Sequence, residues 1–127
     1  MLRINLMKTF NVDGKTIYFG SNAQENSDLV DQHRINYPNG YWFHLSNISS
    51  SHAFYLNNET LTKAEKNIIG NILINLSNKT LPKNQKMIYC KLKNVKTTKT
   101  PGLVYTSNTS EVSIKKIYNL DLSFYVK

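Results

Sequence analysis

The most constraining feature of the sequence is one amphipathic segment, residues 62–77, set among segments with the character of strands. Thr62 and Glu65 have the spacing of a capping box, in which two side chains satisfy amides at the start of a helix. Apolar residues follow at the 3.6-residue period of a helix and end before Pro82. This stripe predicts a helix that lies on a sheet, with Asn71 among the residues of its polar outer face. The apolar positions are Ala64, Ile68, Ile69, Ile72, Leu73 and Leu76.

Strands and one shorter helix account for most of the remaining chain. The helix is predicted over residues 23–33, with Glu25 in the first turn, where a carboxylate favours the helix dipole. Runs of strands with only two helices predict an α+β fold with a mainly antiparallel sheet, and the length of 127 residues predicts one domain, residues 1–127. Segments rich in β-branched and aromatic residues are the predicted strands. They are 2–7, 15–20, 40–44, 53–56, 86–93, 102–105 and 112–117.

Several classes of protein are excluded by what the sequence lacks. The single cysteine, Cys90, forms no internal disulfide and no cysteine-based zinc site, and its apolar neighbours favour a buried structural thiol. No run of about 18 apolar residues occurs, and the first residues do not have the pattern of a signal peptide. We therefore expect a cytoplasmic protein without a metal, a cofactor or a membrane partner.

Positive charge is concentrated in one third of the chain. The formal net charge is +8, and residues 66–110 hold eight lysines and no acidic residue. Coding bias explains the excess of lysine over arginine, so composition alone does not establish a nucleic-acid partner. A lysine-rich strand is typical both of a solvated sheet edge and of a surface that contacts phosphates.

We assign the phosphate contacts to seven of these lysines. Lys91 and Lys93, and Lys86 if the strand contains one bulge, are expected on one face of a strand, and Lys96 and Lys99 in the loop that follows. The full set is Lys79, Lys83, Lys86, Lys91, Lys93, Lys96 and Lys99.

A glycine followed by polar residues joins a predicted strand to the shorter helix. Gly20 precedes Ser21 and Asn22, so amides at the helix start are available to an anion. The alternative is an ordinary glycine turn in which Asn22 caps the helix. The segment is not a phosphate loop, because it lacks the second glycine and the Lys-Ser/Thr pair of that motif.

Two histidines lie near an indole. Trp42 and His44 share one face of a predicted strand, and His52 follows eight residues later. Three interpretations stay open: structural histidines, a general acid–base pair, and a pocket in which a base stacks on Trp42 while His44 or His52 binds phosphate or a base edge.

Taken in order, these patterns resemble the NFACT RNA-binding domain, a module of ribosome quality-control factors that also occurs alone. The resemblance covers residues 16–117 and departs at Ser21, where many members have a basic residue. The shared groups are Ile17-Tyr18-Phe19-Gly20, then Asn22, Glu25-Asn26 and Asp28-Leu29, then Pro38 with Trp42-Phe43-His44, then Ser50-Ser51-His52, and finally Lys99 with Pro101-Gly102-Leu103-Val104.

The resemblance implies an α+β domain that binds RNA, with tRNA or ribosomal RNA as the expected ligand. The ribosome and DNA are further candidate partners. Asn22, Trp42, His44, His52 and Lys99 fall at characteristic positions of the family and are assigned to the nucleic-acid site. Positions assigned to the structural motif are Gly20, Glu25, Asn26, Asp28, Pro101 and Gly102.

The sequence thus predicts a non-catalytic RNA-binding protein. Two alternatives remain: an RNA-processing or RNA-modifying enzyme that uses His44 and His52, and a module that docks on a protein or on DNA.

Overall fold

A six-stranded antiparallel sheet lies at the centre of the structure, a computed structural model that describes residues 8–77 and 84–126. Helix α1 spans Ala23–Arg34 and helix α2 spans Lys63–Leu76. The strands are β1 (Lys8–Val12), β2 (Lys15–Phe19), β3 (Tyr41–Leu45), β4 (Ala53–Tyr55), β5 (Lys86–Lys91), β6 (Val95–Thr97), β7 (Val104–Thr106) and β8 (Ser110–Ser113). The large sheet has the order β1-β2-β4-β3-β5-β8, and β6 and β7 form a separate hairpin.

The predicted α+β class with a mainly antiparallel sheet is confirmed, as are both predicted helices. Five of the predicted strands overlap β2, β3, β4, β5 and β8, and a sixth overlaps β7. The predicted strand 2–7 lies outside the described residues. Strands β1 and β6 were not predicted; β6 has only three residues, too few to produce a clear alternation.

The capping box at the start of α2 forms as predicted. The Glu65 amide donates to Thr62 Oγ1 at 3.0 Å, and the Thr62 amide donates to Glu65 Oε1 at 2.8 Å. Glu65 also accepts a 2.8 Å ion pair from Lys15 of β2, so the cap fastens the helix to the sheet. Most of the predicted apolar stripe packs into the core on this side of the sheet, namely Ile68, Ile69, Ile72, Leu73 and Leu76, whereas Ala64 is exposed.

The outer face of α2 differs from the prediction at Asn71, which is only 6% exposed. Its Nδ2 donates to the Lys115 carbonyl at 2.9 Å, and its Oδ1 accepts from the Ile117 amide at 3.0 Å. The segment after β8 therefore runs along α2 and covers this amide. The prediction was wrong here because backbone groups of the distant C-terminal segment, rather than water, form hydrogen bonds with the Asn71 side chain.

Strand β3 lies between two apolar layers. Phe43 packs in the cluster that contains α2, whereas Trp42 packs in the cluster that contains α1, and both are fully buried. Cys90 of β5 lies in the α1 cluster, where burial raises its thiol pKa to about 11. This confirms the expected buried structural thiol.

The predicted single lysine face of β5 is wrong. The register between β3 and β5 is unbroken from Tyr41 opposite Lys91 to Leu45 opposite Met87, so β5 has no bulge there. Residues five apart on a regular strand point to opposite faces, which separates Lys86 from Lys91. Lys93 lies in a 3-10 turn, Leu92–Asn94, and Lys96 lies in β6 rather than in a loop.

Substitution of Asn71 tests the anchoring of the C-terminal segment. Asn71→Ala should lower the free energy of unfolding by about 1 to 2 kcal/mol, because the Ile117 amide loses its partner and the Lys115 carbonyl keeps only the bond from Asn67 Nδ2. Asn75→Ala, at an exposed site on the same helix, should change it by less than about 0.5 kcal/mol. Urea unfolding measures both, and equal losses would contradict the anchoring role.

Candidate nucleic-acid interface

A cleft of about 760 Å³ opens beside the N-terminus of α1. Five parts of the chain line it: residues 21–23 and Asn26 at the start of α1, residues 44–45 and 47–52 at the end of β3 and in the loop to β4, residues 76–77 at the end of α2, Ile88 of β5, and residues 101–103 before β7. The motif groups of the sequence, far apart along the chain, therefore meet around one opening.

Asn22 caps α1. Its Oδ1 accepts from the Glu25 amide at 2.8 Å, and Glu25 Oε1 accepts from the Ser21 amide at 2.9 Å. The carboxamide of Asn22 is therefore engaged in capping, which is the structural alternative considered for this turn. Asn22 and Ala23 still line the cleft, so the positive end of the helix dipole faces it.

Asn26 joins the end of β2 to the start of β4. Its Oδ1 accepts from the His52 amide at 3.2 Å, while the Gly20 amide donates to the His52 carbonyl at 3.1 Å. A Cβ at Gly20 would lie 1.9 Å from Asn26 Oδ1, so only glycine fits there. Asn26 is buried, and this bond satisfies its oxygen.

His52 extends this network to Trp42 and to the segment before β7. The indole Nε1 of Trp42 donates to His52 Nδ1 at 3.0 Å, so the proton of the neutral ring is on Nε2, and the ring is also hydrogen-bonded to the backbone of Gly102. Burial, together with the neighbouring His44, lowers the pKa of His52 to about 3 despite the bond to Gly102. His52 is therefore neutral at physiological pH.

The predicted stacking of a base on Trp42 is wrong for this structure. Trp42 is 2% exposed, its ring lies parallel to that of His44 with centroids 5.7 Å apart, and its only donor is bonded to His52. The indole instead holds the two histidines in place. The sequence pattern could not indicate this, because alternation in β3 does not show that both faces of the strand are covered.

His44 lies between this network and the cleft, which its side chain lines. Its Nδ1 lies 2.6 Å from the Leu45 carbonyl and therefore carries the proton, which leaves Nε2 as the acceptor of the ring. Burial lowers its pKa, against the opposing effect of the Leu45 carbonyl.

The two imidazoles are close, with centroids 5.1 Å apart, but they do not form an acid–base pair. His52 is 2% exposed and does not take up a proton at neutral pH. His52 therefore does not fit the role of a general acid or base, which contradicts the interpretation of His44 and His52 as an acid–base pair.

Gly102 closes the cleft from the opposite side. Its φ of +82° lies in the left-handed region, and an added Cβ would lie 3.0 Å from that of Ala23. The Gly102 amide donates to Ser27 Oγ of α1 at 2.8 Å. Pro101 precedes it in the cleft wall, whereas Asp28 lies on α1, where it accepts from Gln24 at 2.9 Å.

The predicted lysines do not form one group. Lys86 lies beside Asn47 and Ile48, which also line the cleft, and Lys99 comes two residues before Pro101 of the cleft wall. Lys96 lies on the hairpin of β6 and β7. Lys79 and Lys83 lie outside the described residues.

Lys91 and Lys93 lie at the other end of the sheet. Lys91 Nζ donates to the Asn39 carbonyl and to the Tyr41 hydroxyl, both at 3.2 Å, and lies over the Tyr41 ring. The Lys93 amide donates to the Pro38 carbonyl. Since five residues of a strand span about 17 Å, Lys91 is remote from the cleft end of β5 marked by Lys86.

Sequence reasoning missed several cleft residues, among them Asn47 and Ile48. These two belong to the loop between β3 and β4, where no periodicity reports which side chains face an opening. The one local signal is Asn47 itself, whose φ of +63° is a conformation that asparagine tolerates better than most residues.

Comparison with known proteins identifies the fold. No family model matches the sequence, and no curated protein matches it. The structure is similar to the C-terminal part of the fibronectin/fibrinogen-binding protein from Streptococcus suis, with a TM-score of 0.80 and 16% sequence identity. The match covers 100% of this chain and 51% of that chain. At this identity the likeness establishes a shared fold.

The described residues contain no cluster of metal-ligating side chains and no membrane-spanning helix. Among residues 8–77 and 84–126, no three His, Cys, Asp or Glu side chains are grouped so as to hold a metal ion. Neither α1 nor α2, the helices of the described chain, is long and apolar enough to cross a bilayer.

Gly20→Ala tests the close packing against Asn26. The new Cβ must displace the Asn26 oxygen from the His52 amide, and we expect a loss of more than about 2 kcal/mol in the free energy of unfolding. Gly14→Ala is the matched control: its φ of +80° is strained, yet no atom lies within 4 Å of the added Cβ, so a loss of about 1 kcal/mol is expected. Thermal or urea unfolding that ranks Gly14→Ala as the more damaging change would contradict this packing.

The depressed pKa of His52 predicts a loss of stability in acid. Below about pH 6.5 the His52 ring binds a proton in the unfolded state but stays neutral in the folded state. The free energy of unfolding should therefore fall by roughly 1 kcal/mol per pH unit towards about pH 5. His52→Gln should be less stable than the wild type near neutral pH and should lack this part of the slope. Burial also lowers the pKa of the half-buried His33 on α1, so His33→Gln should remove only that ring's own part of the slope and keep the larger part due to His52. Urea unfolding at several pH values measures the slope, and an unchanged slope in His52→Gln would contradict the assignment.

Proposed function

We propose that this protein binds RNA without catalysis and that the cleft beside α1 is its contact surface. The observation that carries the proposal is the meeting of the motif groups around one opening: the start of α1, His44, the loop that ends at His52, and Pro101-Gly102. These are among the groups on which the resemblance to the NFACT RNA-binding domain rests.

The electrostatics of the cleft support a polyanionic ligand. Its described lining contains serine, asparagine and histidine side chains and no Asp or Glu. Lys86 lies in the adjoining pocket, which Glu111 also lines, and Lys99 comes two residues before Pro101 of the cleft wall. The N-terminus of α1 adds the positive end of a 12-residue helix. Lysines and helix N-termini are groups that commonly contact phosphates and position nucleic acid.

The chemistry of the histidines supports binding rather than catalysis. His52 is fixed by Trp42 and by the backbone of Gly102, and it stays neutral. His44 keeps Nε2 as an acceptor on a ring that lines the cleft. An acceptor of this kind suits a ribose hydroxyl or a base amino group, and the 2′-hydroxyl distinguishes RNA from DNA.

The resemblance implies tRNA or ribosomal RNA as the ligand. Both kinds of RNA have single-stranded loops and ends, and most proteins that recognise RNA bases do so in such single-stranded regions. A cleft of about 760 Å³ is in the range of sites for small ligands, so it accommodates a short stretch of one strand rather than a duplex.

A protein-binding module is the second candidate. The similar structure belongs to a protein named for binding fibronectin and fibrinogen, and that name applies to the longer chain from Streptococcus suis. Immobilised fibronectin that retains this domain at physiological salt, together with no retention of tRNA, would favour this alternative.

The salt dependence of RNA binding tests the proposal. Each lysine that contacts a phosphate should contribute about 0.7 to 0.9 to the slope of log affinity against log salt concentration. The double variant Lys86→Gln, Lys99→Gln should therefore bind tRNA more weakly at low salt and show a slope smaller by roughly 1.4 to 1.8. Filter binding over a salt series measures both quantities.

Lys63→Gln is the matched control for this experiment. Lys63 is exposed in the first turn of α2, about 20 Å along the helix from Leu76 at the cleft. Its removal lowers the net charge without touching the cleft, so the slope should stay within about 0.3 of the wild type. A flat salt response of the wild type, or equal effects of cleft and control lysines, would contradict the proposed surface.

A further inference from the structure

We propose that Tyr105 and Lys96, on the outer face of the hairpin of β6 and β7, form a stacking platform for a base of the RNA strand that leaves the cleft. This inference rests on the proposed function and names the part of the surface that contacts bases.

The need for such a platform follows from the cleft itself. Its described lining contains no Tyr, Phe or Trp side chain, and Trp42, the indole nearest to it, is buried. Proteins that bind single-stranded nucleic acid combine a basic groove with exposed aromatic rings on which bases stack. An aromatic partner therefore has to lie next to the cleft.

The hairpin presents one aromatic ring outward. Val95 is fully buried, and Val104 packs against the same cluster around α1. Alternation along the two strands then places Lys96 and Tyr105 on the opposite, outer face. These two residues are direct cross-strand partners, and Tyr105 is 72% exposed. The Tyr105 ring can therefore stack on the base of a nucleotide while the Lys96 ammonium group contacts the phosphate of the same nucleotide.

Leu103 connects this face to the cleft. It lines the cleft, is 57% exposed, and lies two residues before Tyr105, about 7 Å along the chain. Lys99 is exposed in the turn between the two strands. An RNA strand that passes Leu103 therefore meets Tyr105 with lysines on either side.

The hairpin is held firmly, which lowers the entropy lost when a base stacks on it. Thr97 Oγ1 donates to Asp31 of α1 at 2.8 Å, and the Gly102 amide donates to Ser27 of α1 at 2.8 Å. Together with the burial of Val95, these bonds fix the orientation of the outer face relative to the cleft. The carboxylate of Asp31 keeps its negative charge in this bond and lies on the α1 side of the hairpin, away from the outer face.

Tyr118 provides a matched control elsewhere on the surface. It is 78% exposed, and Lys116 Nζ lies 5.4 Å from its ring centre. It follows the segment that Asn71 anchors on α2. An exposed tyrosine with a lysine neighbour is therefore present at both sites, but only Tyr105 is continuous with the cleft.

The test compares two oligonucleotides of about twelve nucleotides, oligo(U) and an abasic strand with the same phosphates, at low salt. Tyr105→Ala should weaken binding of oligo(U) by about ten-fold and leave binding of the abasic strand unchanged, because only the base stacks. Tyr105→Phe should bind oligo(U) as the wild type does, and so should Tyr118→Ala. Fluorescence anisotropy gives the affinities, and matched melting temperatures verify that each variant is folded.

Three outcomes would overturn the inference. If the wild type binds oligo(U) but Tyr105→Ala behaves like Tyr118→Ala, the platform is absent while the proposed function stands. If Tyr105→Ala weakens both strands equally, the residue acts through the shape or charge of the surface and not by stacking. If the wild type retains neither strand at low salt, the proposed function fails and the platform fails with it.

Discussion

The hydrogen bond between the Asn26 carboxamide and the His52 amide is the interaction on which the site depends. It is buried at the junction of β2, β4 and α1, where an unpaired amide would carry a penalty of about 1 to 3 kcal/mol. Because the Asn26 oxygen lies against Gly20, the junction accepts only glycine at that position. The register of β2 and β4, the start of α1 and the position of His52 are therefore set together.

The same network determines what the site can do. Trp42 and the backbone of Gly102 engage both nitrogens of His52, and burial keeps the ring neutral. The histidine thus serves as a rigid connection between the sheet and the segment before β7. What remains available to a ligand is the rim: the start of α1, His44, the loop between β3 and β4, and the hairpin of β6 and β7 with its lysines. A rigid opening that is lined by polar and apolar residues and lies close to cations is suited to binding a polyanion.

Local signals in the sequence predicted the elements, whereas the exposure of individual side chains depends on long-range pairing. Thr62 and Glu65 interact only with each other across one turn, so the start of α2 could be predicted. The separation of Lys86 from Lys91 depends on the unbroken register with β3, and the burial of Trp42 depends on α1 and the hairpin, which cover that face. Asn71 is buried by a segment more than 40 residues later in the chain. The motif residues were found through a family resemblance, and the structure gives several of them contacts within the protein.

The most direct test of the account is mapping of backbone amide chemical shifts by NMR during titration with tRNA fragments or single-stranded RNA at low salt. The account predicts that the largest changes occur at residues 21–23 and 47–52 and from Lys99 to Tyr105, with small changes around Lys63, Lys91 and Lys93. Changes concentrated at the Lys91 end of the sheet, or spread evenly over all exposed lysines, would contradict the assignment of the cleft as the RNA-binding surface.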